Sequence, residues 1–224
     1  MSNELLVCVD RQRFPREAGH RLALVKDSVW TRGMDLRIHF MSGDAHLHDR
    51  VVDAAIAWTR HANIHFLFGA GADAEIRIAF EPNGSWSYIG TEALRVPKEK
   101  PTMNLGWLNA ETTNQEVRRV VLHEFGHLLG CLHEHQNPSG GIPWDREAVY
   151  RYYGGPPNNW DQAKIDRNIF DTYRDDLTSH TKVDSQSIMM YPIPAAFTTS
   201  GYSVGLNDDL SEVDKTFIAE MYLF

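Results

Sequence analysis

Three histidines and one glutamate within eleven residues have the spacing that a catalytic zinc site requires. His123 and His127 are four residues apart, and at that spacing two side chains share one face of a helix with Cβ atoms about 5 to 6 Å apart. Gly130 tolerates the left-handed conformation that ends a helix, so the chain can turn there and supply His133 as a third ligand. Three protein ligands leave the fourth position of a tetrahedral zinc ion open, as in catalytic sites. The sequence therefore predicts one Zn²⁺ per chain.

Glu124 is the candidate general base, because it follows the first predicted ligand on the same helix. A carboxylate at this position reaches the water on the zinc ion and takes its proton. Zinc lowers the pKa of such a water to about 7 and polarises a carbonyl group. With Glu124 passing the proton to the leaving amine, the predicted reaction is amide hydrolysis without a covalent intermediate.

Hydrophobic periodicity predicts the elements that position these residues. Thr113 and Glu116 form a predicted capping box at the start of a helix whose apolar stripe ends at Gly130. Upstream we expect strands at 36–40, 64–68, 75–80 and 102–108, a helix from Asp44 to about Arg60, and a loop at 82–90. Downstream we expect many turns, short helices at 145–153 and 161–169, and a last helix from Ser211 to about Met221.

Two motifs carry a resemblance to a known family. The residues from His123 to His133 resemble the zinc motif of the metzincin clan, and the continuation to His135 is similar to its astacin branch. The pentapeptide 187–191, SIMMY, resembles the astacin Met-turn, and further similarity extends over about residues 30–222. The resemblance implies an α+β metzincin (zincin-like) fold. Its upper lobe would hold a twisted mixed sheet and two long helices, above a cleft and an irregular lower lobe.

The resemblance also implies roles for residues outside the zinc motif. Tyr191 would be an additional metal ligand and a transition-state donor, and Met189 would form an apolar floor beneath the zinc. Met190 is the alternative floor, because astacins commonly have His at its position. Glu134 would bind a mature N-terminus, or it is a surface or capping residue. An extended substrate would pair with an edge strand, expected within 102–107.

Two cysteines cannot reproduce the disulfides of animal astacins, which favours a bacterial-type relative that lacks them. Cys131 also replaces a usual aromatic residue of the motif. Cys8 lies ahead of the predicted domain, and its thiolate is a candidate zinc ligand in a latent form. A buried, unreactive thiol is the alternative. The segment 40–44, FMSGD, is superficially similar to the aspartate switch of astacin pro-segments, although helix capping by Asp44 explains it better.

The domain organisation predicted from these motifs has two parts. Residues 1–29 form an N-terminal extension and candidate pro-segment, and residues 30–224 form a metallopeptidase domain with an upper lobe at about 30–133 and a lower lobe at about 134–224. A net charge of −8 disfavours nucleic acid as a partner. No apolar stretch is long enough for a membrane span. With no visible signal peptide, we expect a protein that is cytoplasmic or exported by a signal-independent route.

The functional expectation is a zinc-dependent endopeptidase that acts on protein or peptide substrates. A non-catalytic, zinc-containing module that binds polypeptides is the alternative, and Glu124 distinguishes the two, because such a module has no need of a carboxylate there. A purely structural zinc would have a closed fourth position, which the three-histidine pattern fits poorly.

Overall fold

A computed structural model describes residues 7–8, 28–156, 158–172 and 183–224, and a five-stranded mixed sheet forms its first half. The strands are β1 (Asp35–Phe40), β2 (His65–Phe68), β3 (Ile76–Ala79), β4 (Ser85–Ser87) and β5 (Met103–Leu105). Their order across the sheet is β2-β1-β3-β5-β4, and only the β4 to β5 pairing is antiparallel. All four residues of β3 are buried, because this strand has a parallel neighbour on each side.

Strand β4 corrects two expectations from the sequence. The predicted loop at 82–90 contains this strand, in which Ser85 lies opposite Leu105. The side-chain amide of Asn104 donates to the carbonyls of Glu81 and Gly84 at 2.9 and 2.6 Å and so fixes the turn that leads into β4. Long-range pairing therefore overrides the local turn composition. Because β5 lies between β3 and β4, the edge strand expected within 102–107 is wrong, and β4 is the outer strand on this side.

The described residues form five α-helices beside the sheet. They are α1 (Ala45–Ala55), α2 (Asn114–Leu128), α3 (Arg146–Gly154), α4 (Gln162–Ile165) and α5 (Glu212–Met221). Helix α1 begins at Asp44, whose side chain accepts a hydrogen bond from the Leu47 amide at 2.9 Å, so the predicted cap is confirmed. It ends earlier than expected, and a separate 3-10 turn, Trp58–Arg60, follows. The indole of Trp58 donates to the carbonyl of Leu122 at 3.0 Å and holds this turn against α2.

Helix α2 begins and ends where its sequence predicts. The Thr113 side chain accepts from the Glu116 amide at 3.2 Å, which forms the first half of the predicted capping box. The Glu116 carboxylate binds the Arg119 guanidinium with two contacts of 2.7 Å and accepts from the Trp107 indole at 3.2 Å. At the other end Gly130 has a φ of +98°, the left-handed conformation that glycine favours. The chain therefore leaves the helix axis immediately before His133.

The buried side chains of the described residues form two clusters. The first lies between the sheet, α1, α2 and α5, and the second contains α3, α4 and a π-helical turn, Asp166–Phe170. The segment after residue 187 joins them, because Ile188 and Met189 belong to the first cluster whereas Met190 and Tyr191 belong to the second. Val7 also belongs to the second cluster. Apart from residues 7–8 and 28–29, the predicted extension 1–29 lies outside the described residues.

None of the helices in the described ranges combines the length and hydropathy that a membrane span needs.

Candidate active site

The three predicted zinc ligands lie together at the end of α2. His123 and His127 occupy successive turns of the helix, and His133 comes from the chain beyond Gly130. One ligand atom from each, together with the sulfur of Cys8, can be chosen so that all four lie within 4.8 Å of one another. All four residues are buried. The ring centroids of the histidines are 4.6 to 5.3 Å apart. The structure thus brings the three imidazoles that the sequence predicted as ligands around one point.

Backbone carbonyls orient two of the imidazole rings. Nδ1 of His123 lies 2.9 Å from the carbonyl oxygen of Ile188, and Nδ1 of His127 lies 2.9 Å from that of Cys131. A carbonyl can only accept, so each Nδ1 carries the hydrogen and each Nε2 presents a lone pair. Nε2 of His127 lies 3.0 Å from Nε2 of His133, which brings these two nitrogens to the same point. Ligating histidines in metal sites are typically held by such contacts.

The chemistry of these nitrogens fits a zinc ion. Nε2 of His123 is buried and has no hydrogen-bond partner among the described residues, as expected of an atom whose partner is a metal. Burial, with a further contribution from nearby His127, lowers the pKa of His123 well below its usual value. The ring is therefore neutral, which is the form that binds metal. Imidazole nitrogens in a tetrahedral set are ordinary zinc ligands.

Glu124 and Cys8 meet beside the histidines. The side chain of Glu124 is buried, and its Oε2 lies 3.4 Å from the sulfur of Cys8, which donates to it. Both residues line one opening in the surface, together with His123 and Tyr191. The predicted general base therefore faces the same space as the predicted ligands. Cys8, named from the sequence only as a candidate, is part of this site.

The predicted Met-turn lies directly below α2. A Cβ atom on Gly126 would overlap with the sulfur of Met189, so the methionine packs against the helix between the two ligating turns. The carbonyl of Met189 also accepts from the amide of Glu134, which follows the third histidine. Met190 belongs to the second cluster and lines the opening instead. This geometry favours Met189 over Met190 as the apolar floor.

Tyr191 faces the site from the other side. Its ring centroid lies 4.5 Å from that of His133, and its hydroxyl donates to the backbone carbonyl of Cys8. His135 stacks on the tyrosine ring with a centroid distance of 4.1 Å, and its Nε2 lies 2.8 Å from the carbonyl of Asn168. In the sequence, His135 indicates only the similarity to the astacin branch. Its contact with Tyr191 was missed, because no local spacing indicates it.

Asp214 anchors the Met-turn to the last helix. One carboxylate oxygen accepts from the Ser187 hydroxyl at 2.6 Å, and the other accepts from the amides of Ile188 and Ser211 at 2.8 and 3.0 Å. The carbonyl of the same Ile188 faces His123. Ser211 and Asp214 also form a capping box at the start of the last helix, so the Asp214 carboxylate has two tasks. Asp214 thereby connects the C-terminal helix to a zinc-ligand candidate.

Asp214→Ala is expected to lower the free energy of unfolding by about 3 kcal/mol, because buried donors lose a charged acceptor. Urea unfolding followed by circular dichroism would measure the change. Glu220→Ala is the matched control, since Glu220 is an exposed carboxylate on the same helix. An equal, small effect of the two substitutions would contradict the anchoring role.

Glu134 contacts both a near neighbour in sequence and a distant segment. Its carboxylate accepts from the Asn137 side chain at 3.1 Å and from the Asp184 amide at 3.0 Å. Burial raises its pKa to about 7. Neither contact caps a helix, because the 3-10 turn Glu134–Gln136 has no side-chain cap, and the binding of a mature N-terminus stays a prediction. Cys131, by contrast, contributes its carbonyl to the site, and burial raises the pKa of its thiol so that the thiol is unreactive.

The fold and the histidine arrangement together define a zinc peptidase of the metzincin type. A solved structure of myroilysin is 43% identical and superposes with a TM-score of 0.87, covering 89% of this chain and 98% of that chain. A second myroilysin structure is 39% identical with a TM-score of 0.73, covering 99% and 93%. The chain therefore belongs to the astacin-like zinc metalloendopeptidases, and the resemblance inferred from the sequence is confirmed.

Two more distant relatives share less of the sequence. The hatching enzyme zinc-protease HCE-1 from the medaka fish Oryzias latipes shares the fold at 18% identity, with a TM-score of 0.61 over 88% of this chain and 95% of that chain. Bone morphogenetic protein 1 from Xenopus laevis is 24% identical over 173 residues, or 74% of this chain. The chain spans 23% of the length of that curated relative. No family model matches the chain.

Proposed function

We propose that the chain hydrolyses internal peptide bonds of protein or peptide substrates, with one zinc ion held by His123, His127 and His133. The observation that carries the proposal is the convergence of these three side chains and Cys8, with ligand atoms within 4.8 Å of one another, beside a buried carboxylate. A bound zinc ion would acidify a water molecule and polarise a peptide carbonyl. The remaining chemistry belongs to the side chains around it.

Glu124 acts as the general base in this proposal. It accepts a proton from the attacking water and returns it to the leaving amine. Its burial is costly for a carboxylate, and a zinc module that only binds polypeptides would gain nothing from that cost. The position of Glu124 therefore favours catalysis over the non-catalytic alternative.

Tyr191 acts as the donor to the substrate oxygen. Support comes from its hydrogen bond to the backbone carbonyl of Cys8, which is the same kind of acceptor that a substrate peptide would present. As the carbonyl carbon becomes tetrahedral, its oxygen gains negative charge, and a fixed hydroxyl donor stabilises that charge. The stack on His135 holds the ring in place for this task.

We further propose that the chain with Cys8 in the cleft is a latent form. The sulfur of Cys8 lies among the ligand nitrogens, where its thiolate would fill the fourth position of the zinc ion. The same residue contacts Glu124 through its sulfur and Tyr191 through its carbonyl. One residue thus engages the open position, the base and the donor, which an inert buried thiol would not need to do.

Casein hydrolysis by the full chain carrying Cys8→Ala tests the proposed activity without the blocking thiol. We expect hydrolysis to fall at least about a hundredfold when 1,10-phenanthroline removes the metal, and to return on addition of ZnCl₂. Hydrolysis that persists in the chelator, or none in the zinc-loaded chain, would contradict the proposal.

A further inference from the structure

Val7 precedes Cys8 and lines the same opening beside Glu124 and Tyr191. Its side chain is 9% exposed and belongs to the second buried cluster together with Met190 and Tyr191. Its neighbour Cys8 contacts Glu124 and Tyr191, the two groups that would act on the scissile bond. If Cys8 lies where a scissile bond would lie, Val7 lies where a neighbouring substrate residue would lie.

Two kinds of side chain line the opening around Val7, several apolar ones and a basic one. Ile188, Met190, Pro192 and Leu206 line the same opening of about 370 Å³ and supply apolar surface. Leu206 lines this opening and is 58% exposed, so much of its apolar surface is open to solvent. A substrate side chain longer than that of valine would cover more of the Leu206 side chain.

Among the described residues, one basic side chain lines the same opening. Arg119 lines the opening one helical turn before His123. Its guanidinium is bonded twice to the Glu116 carboxylate, with both distances 2.7 Å, and its side chain is 13% exposed. The positive charge is therefore already balanced within the protein.

We infer that the cleft contains an apolar subsite, formed by Met190, Pro192 and Leu206, that selects substrates with an aliphatic side chain next to the scissile bond. The inference rests on the proposed function, because it names a substrate preference of the same site. Valine, isoleucine and leucine fit the size and character of the residue seated there. In such a pocket, kcat/KM is expected to be about tenfold higher for a substrate with an aliphatic side chain than for one with a small side chain.

Cleavage preference is the direct test. The full chain with Cys8→Ala, loaded with zinc, is incubated with a proteome-derived peptide library, and the products are identified by mass spectrometry. We expect Val, Ile and Leu to be enriched at one of the two positions that flank the cut. Adding Leu206→Asp should lower kcat/KM for such peptides about tenfold, whereas Leu94→Asp, at an exposed leucine outside the opening, should not. Enrichment of Asp or Glu would assign the subsite to Arg119 and overturn the inference.

A second readout needs no catalysis. Iodoacetamide alkylation of Cys8 in the zinc-loaded full chain reports how firmly residues 7–8 sit in the cleft, with buried Cys131 as the internal reference. Leu206→Asp should raise the alkylation rate of Cys8 about tenfold, and Leu94→Asp should leave it unchanged. If no peptide is cleaved, the proposed function fails and this rate alone decides the subsite. An unchanged rate in Leu206→Asp would then overturn the inference.

Discussion

Glu124→Gln, in the full chain carrying Cys8→Ala, is expected to lower kcat for peptide cleavage by about a thousandfold. The amide has nearly the same shape as the carboxylate but cannot accept the proton of the attacking water. Because the three histidines are untouched, the zinc content should stay that of the parent. The measurement is kcat on a fluorogenic peptide, with zinc determined on the same samples.

Glu220→Gln is the control for this variant, since Glu220 is exposed on α5. It should keep the kcat of the parent. A Glu124→Gln chain that cleaves within tenfold of the parent would refute the general-base assignment. A variant that loses its zinc would instead show that Glu124 supports the metal rather than the proton transfer.

Cys8→Ala is expected to raise the peptidase activity of the otherwise unprocessed chain by at least about a hundredfold. If the thiolate fills the fourth position in about 99% of molecules, only the remaining fraction can act, and its removal restores the whole population. Alanine also removes the contact between the sulfur and Glu124. Initial rates on the same fluorogenic peptide, with the zinc-loaded wild-type chain for comparison, give the factor.

Cys131→Ala is the matched control, because Cys131 is the other buried thiol of the chain. Its thiol is not part of the four-residue group, so the chain should remain latent. Equal activity of the wild-type chain and Cys8→Ala would eliminate the latency proposal. The proposed endopeptidase activity would survive that result.

The central site was predictable from the sequence because its geometry is local. His123 and His127 lie on one helix, whose start at Thr113 and end at Gly130 follow from capping chemistry. Their mutual placement needs no knowledge of the rest of the fold. His133 follows within a few residues, so a short turn suffices to add it.

The contacts that complete the site could not be predicted in the same way. Asp214 reaches Ser187 and Ile188 across 26 to 27 residues of sequence, and Ile188 reaches His123 across 65. Cys8 meets Glu124 across 116 residues. Such pairings depend on the whole topology, and no periodicity in the sequence encodes them.

The prediction of the sheet edge was wrong for a related reason. Ser85–Ser87 lies in a segment rich in turn-forming residues, and its strand conformation comes from pairing with β5. Because strand propensity reflects neighbours more than intrinsic backbone preference, the local sequence predicted a loop. The outer strand on this side of the sheet is therefore β4, whereas the sequence predicted β5.

Zinc content of the purified full chain tests the central claim most directly. Inductively coupled plasma mass spectrometry of the chain, dialysed against metal-free buffer, should give about one zinc per chain. The same measurement on a variant with His123, His127 and His133 all replaced by alanine should give less than about a tenth of a zinc. A wild-type chain without zinc, or a triple variant that keeps it, would contradict the account.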